Sequence, residues 1–142
     1  MNRAICTSLS GRVYVADYLI NNRRREPIRV YVSKDLQTFE TVWEFPPGDI
    51  RHIHALIPDP EDRERIWVLG GWSNNPSKNW RDVWYSKDGK NWTELTSDVI
   101  WQNRHEHSVV VFQDKLWLYG GYADVLTSEV WTLELPADWG QD

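Results

Sequence analysis

Short apolar runs separated by turn residues recur along the whole chain, and apolar positions at helical spacing are hard to find. The clearest runs are RVYVADY (12–18), RIWVLGG (65–71) and KLWLYGG (115–121). Runs rich in β-branched and aromatic residues and bounded by Gly, Asp or Pro are typical of strands. The pattern predicts an all-β protein.

The apolar runs belong to a repeat. Gly70-Gly71 recurs fifty residues later as Gly120-Gly121. VYVSKDLQTF (30–39), VWYSKDGKNW (83–92) and VWTLELPADW (130–139) align without a gap, each with aromatics at its second and last positions. The tracts RHIH (51–54) and RHEH (104–107) each begin twelve residues after such a closing aromatic. A fixed period of this size indicates three units, at about 1–46, 51–98 and 104–142.

The pattern of each unit predicts four strands. In the middle unit they cover about 53–58, 65–70, 81–86 and 92–96. Asp88-Gly89 predicts a hairpin turn with positive φ, with Trp92 packing back over it. Four antiparallel strands repeated every fifty residues or so are typical of β-propeller blades. The predicted fold is therefore a single partial propeller of three four-stranded blades, the last of them incomplete.

The same motifs resemble known families. Strands that end in Gly-Gly, the following DVWYS (82–86) and SEVWTL (128–133), and the Arg-His tracts are similar to kelch repeats of the galactose-oxidase type. SKDLQTF (33–39) and SKDGKNW (86–92) resemble the Asp-box hairpin of sialidase-like propellers, shortened by one residue. In kelch-like propellers, arginines at the start of the inner strand line the central cavity and bind carboxylates. The resemblance implies that role for Arg51 and Arg104.

Three blades do not close a ring, because propellers have about 4 to 8. We therefore expect self-association, as a homodimer with six blades or a homotrimer with nine. Closed two-fold symmetry is the commonest oligomeric arrangement. The alternative is a fragment or an engineered piece of a longer propeller that has no ligand of its own.

The two RHxH tracts are the main candidate site. On a strand, alternate residues share a face, so His52 would lie beside His54 and His105 beside His107. Three interpretations stay open, namely caps of the inner strand, a ligand-binding rim and a metal site. Equivalent residues of neighbouring blades form a ring and do not converge on one ion, which counts against metal. We predict a rim at the channel mouth without a metal. Its members are Arg51, His52, His54, Arg104, His105 and His107.

A weaker second set lies in the loops after the Gly-Gly pairs. The loops at 70–80 and 120–129 place aromatic residues beside Asn and Ser, as sugar- and peptide-binding surfaces do. The candidates are Trp72, Asn74, Asn75 and Tyr122.

Catalytic patterns are missing from the sequence. The arginine triad and tyrosine nucleophile of sialidases find no match, and Cys6 lacks the context of a copper enzyme. Asp35 and Asp88 are explained by hydrogen bonds to their own turns. We predict a non-catalytic kelch-like unit that binds a peptide or glycan and needs no cofactor, with a fragment of a glycoside-processing propeller enzyme as the alternative.

Composition and charge limit the classes of partner that the chain is expected to bind. A net charge of −5 argues against nucleic acid, since phosphate binding needs a basic face. The single cysteine, Cys6, excludes an internal disulfide, and we expect a buried, unreactive thiol. The sequence shows neither the pattern of a signal peptide nor a membrane-spanning stretch, which predicts a cytoplasmic protein. Ten Trp residues provide much of the apolar surface.

Overall fold

The computed structural model describes residues 4–19, 21, 23, 25–50, 52–74, 77–135 and 139, with residue 74 described by its backbone alone. Within these ranges every regular element is a strand. The all-β prediction is confirmed. No helix in the described part of the chain has the length and apolarity needed to cross a membrane.

The strands form three larger antiparallel sheets that follow one another along the chain. The first sheet consists of β1 (Ile5–Thr7), β2 (Val13–Ala16), β3 (Ile28–Ser33) and β4 (Glu40–Phe45). The second consists of β5 (Ile57–Pro58), β6 (Ile66–Asn74), β7 (Ser77–Ser86) and β8 (Thr93–Glu94). The third contains β9 (Ser108–Phe112), β10 (Lys115–Tyr119) and β13 (Val130–Leu133), while β11 (Tyr122–Ala123) and β12 (Val125–Leu126) form a small separate hairpin. Each larger sheet lies within one predicted repeat unit.

Two details of the predicted strands are wrong. The first strand of the middle unit covers only Ile57–Pro58, so the RHIH tract precedes the strand. The segment 70–80 is largely a hairpin, because β6 continues to Asn74 and pairs with β7 from Ser77 onward. The ladder is interrupted between Leu69 and Gly71, where its register shifts. Pairing resumes at Gly71, which lies opposite Trp80, and the sequence does not reveal this continuation.

The hairpins at 33–39 and 86–92 each contain the same pattern of hydrogen bonds. Asp88 Oδ1 accepts the backbone N–H groups of Lys90 at 2.7 Å and Asn91 at 2.8 Å, and Ser86 Oγ accepts that of Gly89 at 2.8 Å. Asp35 Oδ1 accepts the equivalent pair in the first hairpin, both at 2.8 Å. The predicted turn role of both aspartates is confirmed.

The second hairpin also confirms the predicted turn geometry. Gly89 has a φ of 76°, and Trp92 folds back so that its Nε1 donates to the Gly89 carbonyl at 3.1 Å. Hydrogen bonds from the backbone and from neighbouring side chains lower the pKa of Asp35 and of Asp88 to about 2, although burial opposes the shift in both.

The two apolar cores lie between successive sheets. One core joins the first and second sheets and includes Tyr14, Val30 and Ile66. The other joins the second and third sheets and includes Trp67, Leu69 and Leu118. The second sheet is thus covered on both faces, which explains why its apolar residues do not simply alternate with polar ones.

The closing aromatic of each later unit seats against the sheet before it. Trp92 packs into the core that contains Tyr14 of β2. The turn approaches so closely that a Cβ on Gly89 would lie 2.9 Å from Val42 Cγ2 and 3.0 Å from Tyr14 Cε1, so only glycine fits. One unit later, Trp139 stacks on Trp67 of β6 with ring centroids 5.1 Å apart. Tyr14 and Trp67 occupy equivalent repeat positions, and both are fully buried.

A buried carboxylate fixes the second of these contacts. Asp59 Oδ2 accepts the indole N–H groups of Trp67 at 2.8 Å and Trp139 at 3.0 Å. The guanidinium of Arg65 lies 4.3 Å from the centre of the Trp139 ring. Because Asp59 is 1% exposed, these directional bonds define where Trp139 sits against the second sheet.

Candidate functional site: a cavity lined by histidines

A polar cavity of about 560 Å³ lies where the second and third sheets approach each other, and we call it the histidine cavity. Three of the four imidazole rings border it, together with aromatic, amide and charged side chains. Its lining residues are His52, His54, Trp72, Ser77, Lys78, Asn79, Asn103, His105, Glu106, Tyr122 and Asp124. The cavity therefore brings residues of both predicted candidate sets together, although the two tracts begin 53 residues apart.

The first tract places its two histidines side by side, as the alternation argument predicts. His52 Nε2 and His54 Nε2 are 3.0 Å apart, a distance at which one imidazole donates to the other. Ile53 between them is buried in the first core. The Tyr18 ring lies 4.2 Å from the His52 ring and supports the pair. Tyr18 is a contact that sequence reasoning missed.

The second tract arranges its histidines differently, which is a correction to the predicted shared face. Glu106 has a φ of 56°, in the left-handed region, so the chain does not alternate as a strand between His105 and His107. His105 faces the cavity, whereas His107 is 3% exposed and points into the interior.

An amide holds the His105 ring in place. His105 Nδ1 lies 2.6 Å from Asn79 Oδ1, and Asn79 Nδ2 donates to the Tyr122 carbonyl at 3.2 Å. With the amide oriented in this way, the ring donates from Nδ1 and the lone pair of neutral His105 is on Nε2. Asn79 was not singled out from the sequence. The position of Asn79 beside His105 depends on the β6–β7 pairing, which places Asn79 opposite Trp72.

His107 is a structural residue in this geometry. Its Nε2 lies 3.1 Å from the carbonyl oxygen of Leu69, to which it donates, and its Nδ1 has no hydrogen-bond partner among the described residues. Burial lowers the pKa of His107 to about 4, and the charges of Arg104 and His105 act in the same direction, while the bond to Leu69 opposes them. His107 is therefore neutral at physiological pH.

Arg104 is likewise held by protein groups. Its side chain is 0% exposed, its Nη1 donates to the Gly120 carbonyl at 2.9 Å, and its Nη2 pairs with Glu129. Trp131 Nε1 donates to the same carboxylate at 3.2 Å. The bond to Arg104 is the main cause that lowers the pKa of Glu129. The predicted contact between Arg104 and a ligand stays a prediction. The burial of the Arg104 side chain does not favour it.

The second tract also joins the second sheet to the β11–β12 hairpin through its backbone. Arg104 N–H donates to the Trp80 carbonyl at 3.0 Å, and His105 exchanges backbone hydrogen bonds with Tyr122 at 3.2 and 2.9 Å. A Cβ on Gly121 would lie 2.8 Å from the His105 carbonyl oxygen, so the Gly-Gly pair permits this close approach. The wall of the cavity is thus built from the repeat motif itself.

The remaining candidates are placed as follows. Trp72 and Tyr122 flank His105, with ring centroids 6.1 and 5.4 Å from its own. Arg51, Asn75 and the side chain of Asn74 lie outside the described residues. Cys6 is buried, as expected, and burial raises its pKa to about 12.

The cavity has the chemistry of a polar binding site. Imidazole and amide groups both donate and accept hydrogen bonds, and Trp72 and Tyr122 present flat apolar rings beside them. The described residues contain no group of three or more His, Cys, Asp or Glu arranged to hold a metal ion. The neighbouring rings of His54 and His105 have centroids 6.3 Å apart.

No protein-family model matches this chain, and no curated protein is significantly similar to it. The resemblance to kelch and Asp-box repeats accordingly stays a prediction carried by the motifs.

Proposed function

We propose that this chain is a non-catalytic, kelch-like propeller unit. Its three sheets act as consecutive blades, and copies associate through their end sheets to close a ring. The histidine cavity is its binding site for a short glycan or peptide. The observation that carries the proposal is the repeated seating of a unit's closing aromatic on the preceding sheet, by Trp92 on the first and by Trp139 on the second.

Successive sheets related by the same contact form an arc that ends in two apolar surfaces. Ile5 on the first sheet and Phe112 on the third are both more than half exposed. Large exposed apolar patches mark interaction surfaces. Two copies of three sheets give six blades, a number within the usual range for propellers.

The assembly is tested by mass in solution. A chain of 16.8 kDa should give about twice that mass by light scattering coupled to size exclusion. Three times that mass would replace the two-fold ring by a nine-bladed one. A clean monomer over the accessible concentration range would remove self-association from the proposal.

Ligand binding is supported by the composition of the cavity wall. Imidazole rings, Asn79 and Asn103 match hydroxyl and amide groups, whereas Trp72 and Tyr122 match the apolar faces of sugar rings or side chains. Lys78, Glu106 and Asp124 supply charges of both signs at the border of the cavity.

The ligand is sought with glycan and peptide arrays, followed by titration of each hit against variants. We expect Trp72→Ala and His54→Ala to weaken binding about tenfold or more, because each removes a contact from a mostly preformed site. Val99→Ala is the control, since Val99 is exposed in the second unit and does not line this cavity. Equal loss in the control, or silent arrays, would contradict a site here. Turnover of aryl glycosides would favour the enzyme alternative.

A further inference from the structure

The two internal seating contacts place an aromatic residue at the same point of each covered sheet. Tyr14 of β2 lies under the hairpin that ends in Trp92, and Trp67 of β6 lies under Trp139. In the third sheet the equivalent position is Trp117 of β10, by alignment of the runs 12–18, 65–71 and 115–121. Any unit that continues the series has to cover Trp117.

No other sheet of the described residues covers the face of the third sheet that contains Trp117. Val110 pairs with Trp117 and Val130 pairs with Tyr119, so these side chains share one face. The face is apolar and open to solvent, with Phe112 59% and Val130 62% exposed. Its opposite face, with Leu116 and Leu118, is buried against the second sheet.

The first unit has the matching hairpin, which is not seated on any sheet of the described residues. Phe39 occupies the position of Trp92 and Trp139, and it is 47% exposed. Leu36 at the tip of the turn is 65% exposed, although it adopts a φ of 61° like the equivalent Gly89. An apolar residue in a left-handed turn and open to water fits a contact that is absent in the single chain.

The difference between Leu36 and Gly89 agrees with the difference between their partner sheets. Gly89 is pressed against Val42 of β4, the fourth strand of the first sheet. In the described residues the third sheet has three strands and no counterpart of β4. A leucine side chain therefore has room there, where only glycine fits on the first sheet.

We propose that the 33–39 hairpin of one copy seats on the third sheet of another copy, with Phe39 against Trp117 and Leu36 beyond the edge of β13. This inference rests on the proposed self-association and specifies its interface. Lys115, which aligns with Arg65, lies over Phe39 as Arg65 lies over Trp139. The contact is head-to-tail, so two copies close a ring through two identical contacts.

The test uses two variants that each destroy a different half of the contact. Phe39→Glu removes the hairpin anchor and keeps the third-sheet face, whereas Trp117→Glu does the reverse. Each variant alone should be monomeric by light scattering. Removal of an aromatic anchor weakens an interface about 30-fold or more, which gives about 1000-fold for a ring with two contacts. Val99→Glu, at an exposed apolar residue of the second unit, is the matched control and should stay associated.

Mixing the two variants decides the geometry. The intact hairpin of Trp117→Glu can seat on the intact sheet of Phe39→Glu, so an equimolar mixture should recover a dimer with a single contact. Recovery also shows that both variants are folded. If the wild-type protein associates but Phe39→Glu associates equally well, the head-to-tail interface is wrong while self-association stands. A mixture that stays monomeric also contradicts the interface, and a monomeric wild type overturns both.

Discussion

Individual residues of the RHxH tracts have different roles, although their letters repeat. His52, His54 and His105 face the histidine cavity, whereas Arg104 and His107 are buried and bonded to protein groups. The sequence predicts the His52–His54 pair because alternation along an extended chain is a local property. It does not predict the turn of His107 inward, because that depends on the left-handed conformation of Glu106 and on the glycines that the tract packs against.

His107 makes the stability of the fold depend on pH. The unfolded chain takes up a proton at this residue near pH 6.5, whereas the folded chain does so only near pH 4. The free energy of unfolding should therefore fall by about 3 kcal/mol as the pH drops through this window, and level off below it. Urea unfolding at several pH values measures the effect.

The matched variant for this prediction is His107→Gln, which keeps a donor for the Leu69 carbonyl and does not titrate. Its stability should change less than that of the wild type between pH 6.5 and pH 4.5. Parallel pH profiles for the two proteins would show that another group is responsible. Asp35 and Asp88, with pKa values of about 2, lose their charge below this range.

The hairpins are the elements that the sequence predicts best. Ser-Lys-Asp followed by a residue in the left-handed region is sufficient for the network, because all of its hydrogen bonds join residues within three positions of each other. The extension of β6 and β7 past Gly70-Gly71 is missed for the opposite reason. Glycine in a strand usually signals a break, and only the packing of the second tract against the pair shows why the ladder continues beyond it.

The two hairpins have the same turn hydrogen bonds, but only the hairpin at 86–92 packs against a neighbouring sheet. Comparing them shows how much that packing adds to the stability that the turn provides. Asp88→Ala removes the acceptor of two backbone N–H groups in a hairpin that supports the packing of Trp92, and it should reduce the free energy of unfolding by about 1 to 2 kcal/mol. Asp35→Ala removes the same bonds from a hairpin that is not seated on any sheet of the described residues, and it should reduce the free energy of unfolding by less. Urea unfolding of dilute protein at neutral pH compares the two. An equal loss of unfolding free energy in the two variants would mean that packing against the first sheet does not increase the contribution of the turn.

At the scale of the whole molecule, the period of about fifty residues predicts the number of sheets and their order along the chain. The all-β fold follows from it, and so does the antiparallel pairing of consecutive strands in the first two units, whereas in the third sheet β10 pairs with β13 across the β11–β12 hairpin. The period does not predict which faces end uncovered. That depends on how each unit seats on the previous one, through contacts such as the bonds of Asp59 to Trp67 and Trp139.

Association of end sheets should couple thermal stability to protein concentration. Because the associated form is favoured by mass action, the midpoint of thermal unfolding should rise as the protein is concentrated. The Phe39→Glu variant is the control, and its midpoint should be independent of concentration. Differential scanning calorimetry over a wide concentration range measures both, and a constant midpoint for the wild type would contradict stabilisation by association.

The single thiol of the chain, Cys6, can report when the packed face of the first sheet becomes exposed. Cys6 lies on the face of the first sheet that the second sheet covers, beside Tyr14 in the strand pairing. With a pKa of about 12 it is protonated at neutral pH, and it is shielded from reagents while the two sheets stay together. The rate at which a thiol reagent modifies the folded protein therefore measures how often this face opens, through separation of the first and second sheets or detachment of the edge strand β1. No engineered probe is needed for that measurement.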